Sequence, residues 1–303
     1  MLEFHTLDVF TTQPFAGNPL AVVLGADALS PRQMQTMARE FNLSETIFVQ
    51  APRDPANTAR VRIFFPTAEI PFAGHPTVGC AILLASLTAP EGDFVKEIKL
   101  EEEAGLVPVT VTRTGGLTTA EFTAPRLPVP HPGHASRALA AASIGLEPED
   151  LVLGPHHPGI WQAGPAFLFL PILNRQTLAR ARPIEPHWSA LMAEARVDSA
   201  YLYTDGVGTD FQARMFSPGA GIPEDPATGS ATAILAAQLH AAGLVPPGTT
   251  RFTVMQGVEM GRPSDLTLTI DAGAEGPTAI RIRGAAVPMS QGRVRAPDDA
   301  AMP

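Results

Sequence analysis

Apolar and polar positions along this chain alternate or gather in short bursts, and their spacing predicts the elements. Residues 2–10, 20–24, 46–50 and 59–65 carry the pattern of strands. Ser30 followed by Pro31 predicts a helix start, with the serine as N-cap and the proline in the first turn. Met34, Met37, Ala38 and Phe41 then fall on one face of that helix. Residues 94–123 predict a β-meander with a hairpin turn at Thr114-Gly-Gly116. The Pro-rich stretch 126–134 lacks periodicity and predicts a linker. Beyond it the mixture repeats, with helices near 135–144 and 187–195 and strands near 166–171, 200–205, 251–256, 265–271 and 278–283. Segments 78–87 and 231–244 are apolar or small on nearly every face, which predicts two helices buried all round.

Those two segments belong to an internal repeat. Arg62-Ile-Phe-Phe-Pro-Thr-Ala-Glu-Ile-Pro71 aligns without gaps on Arg214-Met-Phe-Ser-Pro-Gly-Ala-Gly-Ile-Pro223, and ten of the 24 positions from 62 to 85 recur 152 residues later. Composition alone gives roughly two or three such matches. A strand–turn–helix unit recurring once per half predicts an α+β chain of two pseudo-symmetric domains. Each is expected to wrap a curved, mostly antiparallel sheet around a central buried helix, over residues 1–124 and 125–285. The two helix N-termini are expected to face one shared cleft.

Bulk composition narrows the function. A net charge of −9 and the absence of a basic run argue against nucleic acid or an anionic membrane as partner. The start of the chain carries no signal-peptide pattern, and the longest apolar stretch is about half a membrane span. A cytoplasmic location is expected. The single cysteine, Cys80, leaves no internal disulfide and no Cys-rich metal site. No nucleotide-binding glycine pattern, nucleophile elbow or zinc spacing occurs, so no cofactor and no metal are expected. His156-His157, and His131 with His134, read as loop histidines, and Glu101-Glu-Glu103 as a solvated strand end or turn.

Three polar segments remain as candidate chemistry. Phe72-Ala-Gly-His-Pro76 and Pro223-Glu-Asp-Pro-Ala-Thr-Gly-Ser230 stand at the starts of the two buried helices. His75-Pro76 and Asp225-Pro226 each read as an N-cap followed by proline, which needs an offset of 150 where the flanking residues prefer 152. Capping and catalysis are both open for each turn taken alone. Either register gathers free backbone N–H groups suited to a carboxylate or a developing enolate. Glu45, in Asn42-Leu-Ser-Glu-Thr46, lies between a helix end and an apolar strand. It is either a solvated loop residue or a desolvated carboxyl fit for proton transfer.

These segments, with Phe15-Ala-Gly-Asn-Pro-Leu-Ala-Val22 and Gln256-Gly-Val-Glu-Met-Gly-Arg-Pro-Ser264, resemble the motif set of the phenazine-biosynthesis PhzF family, in the family's order and over nearly the whole chain. The resemblance implies a diaminopimelate-epimerase-like fold whose last strand, at 286–295, returns to the first domain. It also implies cofactor-independent isomerisation of the kind carried out on trans-2,3-dihydro-3-hydroxyanthranilate, and a homodimer. By the motif match Glu45 is the base and acid, and His75, Asp225 and Ser230 surround a small carboxylate-bearing substrate. The backbone at Gly74, Gly229 and Ser230 would hold the carboxylate, with Ser44 and Asn18 as supporting neighbours. Two alternatives stand beside this reading: a racemase or epimerase working without thiols, and a non-catalytic binder of small acids.

Overall fold

Two antiparallel strands open the chain, β1 (Leu2–Val9) and β2 (Asn18–Val23), in register from Phe4↔Val23 to Val9↔Asn18. Their connection turns on Gly17, at φ 68°, where an added Cβ would lie 2.4 Å from the Val9 carbonyl oxygen. A glycine is required there on both counts. The structure, a computed structural model, describes residues 1–89 and 91–298.

Helix α1 (Pro31–Phe41) starts where the sequence places it. The Ser30 hydroxyl accepts from the Gln33 N–H, and the Gln33 side chain accepts from the Ser30 N–H. Such a capping box stabilises a helix by about 1 kcal/mol. Met34, Met37 and Ala38 are buried against Phe48 and Phe64. The chain then forms β3 (Glu45–Gln50), parallel to β2 and antiparallel to β4 (Ala59–Phe64), on which the short β5 (Glu69–Ile70) folds back.

Helix α2 (Gly74–Thr88) follows, buried almost continuously from Gly74 to Leu83. It packs against β1, β2 and β3 and against three later strands, β6 (Phe94–Glu102), β7 (Gly105–Thr114) and β8 (Leu117–Thr123). Apolar or small residues on every face are what that environment demands. Gly79 allows the close approach, since a Cβ there would sit 2.6 Å from Leu20 and 2.7 Å from Val9.

The same order of pairing recurs in the second half. After β9 (Val129–Pro130) and α3 (Arg137–Ser143), β10 (Gly159–Gln162) pairs antiparallel with β11 (Ala166–Pro171). Helices α4 (Arg175–Arg180) and α5 (His187–Ala195) occupy the connection that α1 fills in the first half. Strand β12 (Ala200–Asp205) is parallel to β11 and antiparallel to β13 (Phe211–Ser217), and β14 (Ile222–Asp225) folds back on β13. Then come α6 (Gly229–Ala241), β15 (Gly248–Gln256) parallel to β13, and β16 (Ser264–Gly273) antiparallel to β15. Strand β6 stands to β4 and β7 as β15 stands to β13 and β16. The chain is α+β, and it divides into two compact units: Met1–Pro125 with the segment from Arg283 onwards, and Arg126–Ile282.

Three departures from the sequence reading have physical causes. The strands predicted at 278–283 and 286–295 are one, β17 (Gly276–Val294), whose end pairs with β1. Pro288 is tolerated because the ladder slips register beside it, opposite Thr6 and Leu7. The buried helices begin earlier than the apolar runs, at glycines 74 and 229, because their first turns are polar. Helix α4 had no apolar signature; Asn174 caps it through the Thr177 N–H. Among the described residues no helix is long and apolar enough to cross a membrane.

Candidate active site

In the first unit, α1 ends at Asn42 in a left-handed cap, φ 50°. Three residues later β3 opens with Glu45, placed beside Leu20 by the parallel pairing with β2. That pairing draws the carboxylate inside: Glu45 is 6% exposed. Its Oε2 lies 3.2 Å from Nδ1 of His75, which is itself 2% exposed. The side-chain amide of Asn18, fully buried at the start of β2, stands 3.2 Å from the same ring nitrogen. Burial holds the His75 imidazolium down to about 3, and a hydrogen bond to the Pro19 carbonyl offsets this only in part. The ring is therefore neutral at physiological pH. Its Nε2 is buried and has no hydrogen-bond partner among the described residues. Ser44, half-buried, precedes Glu45 on the connection to β3.

Helix α2 begins directly beside this pair. Its N-cap, Ala73, has no side chain to offer, so the Gly74 and His75 N–H groups lack a side-chain cap. Pro76 has no N–H, and the Thr77 N–H turns back to the Ala73 carbonyl at 3.3 Å. Two uncapped donors at the positive end of a buried helix favour an anion.

The second unit builds its helix start differently. Asp225, the last residue of β14, is buried and its Oδ2 accepts from the Thr228 hydroxyl at 2.5 Å. Gln256, fully buried at the end of β15, donates from Nε2 to the Asp225 carbonyl (2.7 Å) and to Thr228 Oγ1 (3.0 Å). Its Oε1 accepts the Thr228 N–H at 3.1 Å. Gly257 closes the turn at φ 76°, with room for no Cβ between the Arg262 and Pro226 carbonyl oxygens. Thr228 is the N-cap of α6 but offers no side-chain cap; its hydroxyl donates to Asp225 and accepts from Gln256. The helix again starts with uncapped N–H groups, at Gly229, half-buried Ser230 and Ala231.

Two sequence expectations are overturned here. Neither His75 nor Asp225 is an N-cap: His75 is the second residue of α2, and Asp225 ends a strand. The register of the repeat also changes partway. Arg62 corresponds to Arg214, an offset of 152, and each grips a glutamate in a two-point pair, Glu69 and Glu224. Those glutamates are 155 apart, as are Gly74 and Gly229 and the threonines Thr77 and Thr232, whose hydroxyls donate to the N-cap carbonyls. The three-residue 3-10 turn Pro218–Ala220, between β13 and β14, supplies the extra length.

Within the first unit the fold brings Glu45, His75 and Asn18 together, flanked by Ser44 and Gly74. Within the second it brings Asp225 to the turn that carries Gly229 and Ser230. Sequence reasoning missed Thr228 and Gln256, although both stand in segments it singled out.

Comparison with known proteins shows the family. Residues 7–292 match the PhzC-PhzF family, described as phenazine biosynthesis-like protein. An uncharacterized isomerase of Mesorhizobium japonicum is 40% identical over 293 residues, covering 95% of this chain and 96% of that one. The trans-2,3-dihydro-3-hydroxyanthranilate isomerase of Pseudomonas aeruginosa is 35% identical over 97% of this chain and 99% of its own. A PhzF-family crystal structure from Bacillus anthracis superposes with a TM-score of 0.86 at 26% identity, over 97% of this chain and 99% of that one.

Proposed function

The chain belongs to the PhzC-PhzF family and is a PhzF-like isomerase, and we propose that it moves a proton on a small carboxylate-bearing substrate through Glu45. The observation that carries this reading is the buried pair of Glu45 and a neutral His75, set against the uncapped start of α2. In the proposed step the Glu45 carboxylate takes a proton from carbon. The charge spreads onto the conjugated acid, and the carboxyl returns the proton at another carbon of that system. A neutral imidazole orients Glu45 and offers a hydrogen-bonding edge without adding a charge that would quench the base.

The start of α2 supplies donors for the anion, the Gly74 and His75 amides. In the second unit Asp225 holds the turn ahead of α6 through Thr228. Thiol chemistry has no part in this, because Cys80 lies buried within α2, where burial raises its thiol and keeps it protonated.

The test is exchange of solvent deuterium into a panel of small unsaturated amino and hydroxy acids, guided by mass spectrometry of any acid that co-purifies. Enzyme-dependent incorporation with the configuration at Cα retained supports the isomerase. Racemised product supports an epimerase instead, and binding without incorporation in any acid supports a binder.

A further inference from the structure

One glutamate of the run Glu101-Glu-Glu103 is not solvated, contrary to the sequence reading. Strand β6 alternates inward and outward, and Ile98, Leu100 and Glu102 face in; Glu102 is 7% exposed. Its neighbours face out: Glu101 accepts from the Arg53 and Asp54 N–H groups and from Asn57, and Glu103 pairs with Arg60. Glu102 Oε1 lies 2.7 Å from Thr77 Oγ1, while its buried Oε2 has no hydrogen-bond partner among the described residues.

Thr77 Oγ1 is also 2.7 Å from the Ala73 carbonyl oxygen. A hydroxyl has one hydrogen, and two acceptors here claim it. Both contacts are hydrogen bonds only when Glu102 carries a proton. The Thr77 hydroxyl then donates to Ala73, and the Glu102 hydroxyl donates to Thr77. Burial acts in the same direction, pushing the carboxyl up to about 8 against a smaller opposing effect of the Thr77 bond. No cation is bonded to it among the described residues: on β4, Arg60 is engaged by Glu103 and Arg62 by Glu69. On β7, Gly105 stands opposite, and on α2 the facing titratable group is the Cys80 thiol, itself raised by burial and then by Glu102.

The second unit has an amide at the matching place, bonded to the N-cap residue Thr228 rather than to Thr232, the counterpart of Thr77. Leu100 pairs with Ala59, and Val254 pairs with Phe211, so Glu102 and Gln256 hold equivalent places two residues on. Gln256 donates from a permanent amide to Thr228, next to the N-cap carbonyl of α6. A protonated carboxyl is the acid counterpart of that amide.

We propose that Glu102 is a positioning residue that works in its protonated form. Its hydroxyl completes the chain through Thr77 to Ala73, which holds the first turn of α2 and with it the Gly74–His75 edge. Loss of that proton releases the turn and sets the alkaline limit of activity. The positioning role rests on the function proposed above; the protonation does not.

Infrared difference spectra of the whole protein and of Glu102→Gln give the first test. At neutral pH the native protein is expected to show the carbonyl band of a buried protonated carboxyl, absent from the variant and fading as pH climbs past about 8. Thermal unfolding gives the second. The folded protein keeps a proton that the unfolded chain has lost, so rising pH weakens the native protein relative to Glu102→Gln. The expected fall is about tenfold in the folding equilibrium per pH unit between 4.5 and about 8, and flat above. Absence of the band, or parallel pH–stability curves for the two proteins, overturns the protonation. In activity, Glu102→Gln is expected to keep the neutral rate and shift the alkaline limb upward; an unchanged limb overturns the positioning role. Failure of the isomerase reading would appear separately, as no exchange by the native protein at any pH.

Discussion

The two helix starts share one skeleton and differ in what fills it. At both, an arginine ahead of the turn grips a glutamate beyond it, and a threonine one turn into the helix ties its hydroxyl to the N-cap carbonyl. At α2 the groups around this skeleton can titrate: Glu45, His75 and Glu102. At α6 a closed set of bonds among Asp225, Thr228 and Gln256 fixes the turn, and the residue matching His75 is Ser230. The same skeleton thus carries titratable side chains around the start of α2 and a closed hydrogen-bonded set around the start of α6.

The comparison can be broken most sharply at the arginines. Arg214 is 7% exposed and also donates to the Leu178 and Ala181 carbonyls, whereas Arg62 is half-buried and, among the described residues, bonds through its glutamate pair and a ring contact with Phe64. Arg214→Met should cost about 3–5 kcal/mol by removing the partner of the half-buried Glu224 carboxylate and the donor to the Ala181 carbonyl. Arg62→Met should cost about 2 kcal/mol, read from urea unfolding of each variant. Equal losses would mean that the two braces are equivalent.

The next contrast is with pH. His75 is held down to about 3 in the fold and returns to 6.5 on unfolding, so between these values the unfolded chain takes the proton first. Stability carried by the neutral ring is full above 6.5 and falls as the pH drops towards 3, by about tenfold in the folding equilibrium per unit. Melting curves of His75→Gln should lack that fall. Ser230→Ala, at the matching place, should follow the native pH curve in parallel.

A smaller effect sharpens the comparison between the acid and its amide twin. Gln256→Glu removes the donor to the Asp225 carbonyl and should cost about 1–3 kcal/mol at neutral pH. The reciprocal Glu102→Gln keeps a donor for Thr77 and sheds the proton that the folded carboxyl must hold at neutral pH, so it should not lower stability there and should raise it. Chemical denaturation at a single neutral pH decides it, and a reversed order would break the equivalence of the two positions.

Much of this was legible in residues whose spacing carries one meaning. Ser30-Pro31 with Gln33 announces a helix start, and Arg62 and Arg214 with their apolar runs announce the repeat. What stayed hidden was geometry that spacing does not encode. His75-Pro76 imitates an N-cap and first-turn proline. A proline three residues into a helix is equally harmless, because that N–H has no helical partner. The ungapped match of Ala81-Ile-Leu on Ala233-Ile-Leu concealed the three-residue turn that shifts the true register, since any two buried helices draw on the same few side chains.

Glu102 was masked by the glutamates on either side, although the alternation through Ile98 and Leu100 was there to find it. His156, read as a loop residue, is buried with Nδ1 2.9 Å from the Tyr203 hydroxyl, a contact between residues 47 apart that no local pattern announces.

The central claim, that Glu45 carries the proton, is tested most directly by following deuterium from solvent into the substrate acid with the native protein and Glu45→Gln in one buffer, after melting curves establish that both are folded. A fall of about 10²–10⁴-fold in the variant is the expected result. Incorporation at the native rate without the Glu45 carboxylate would contradict the account.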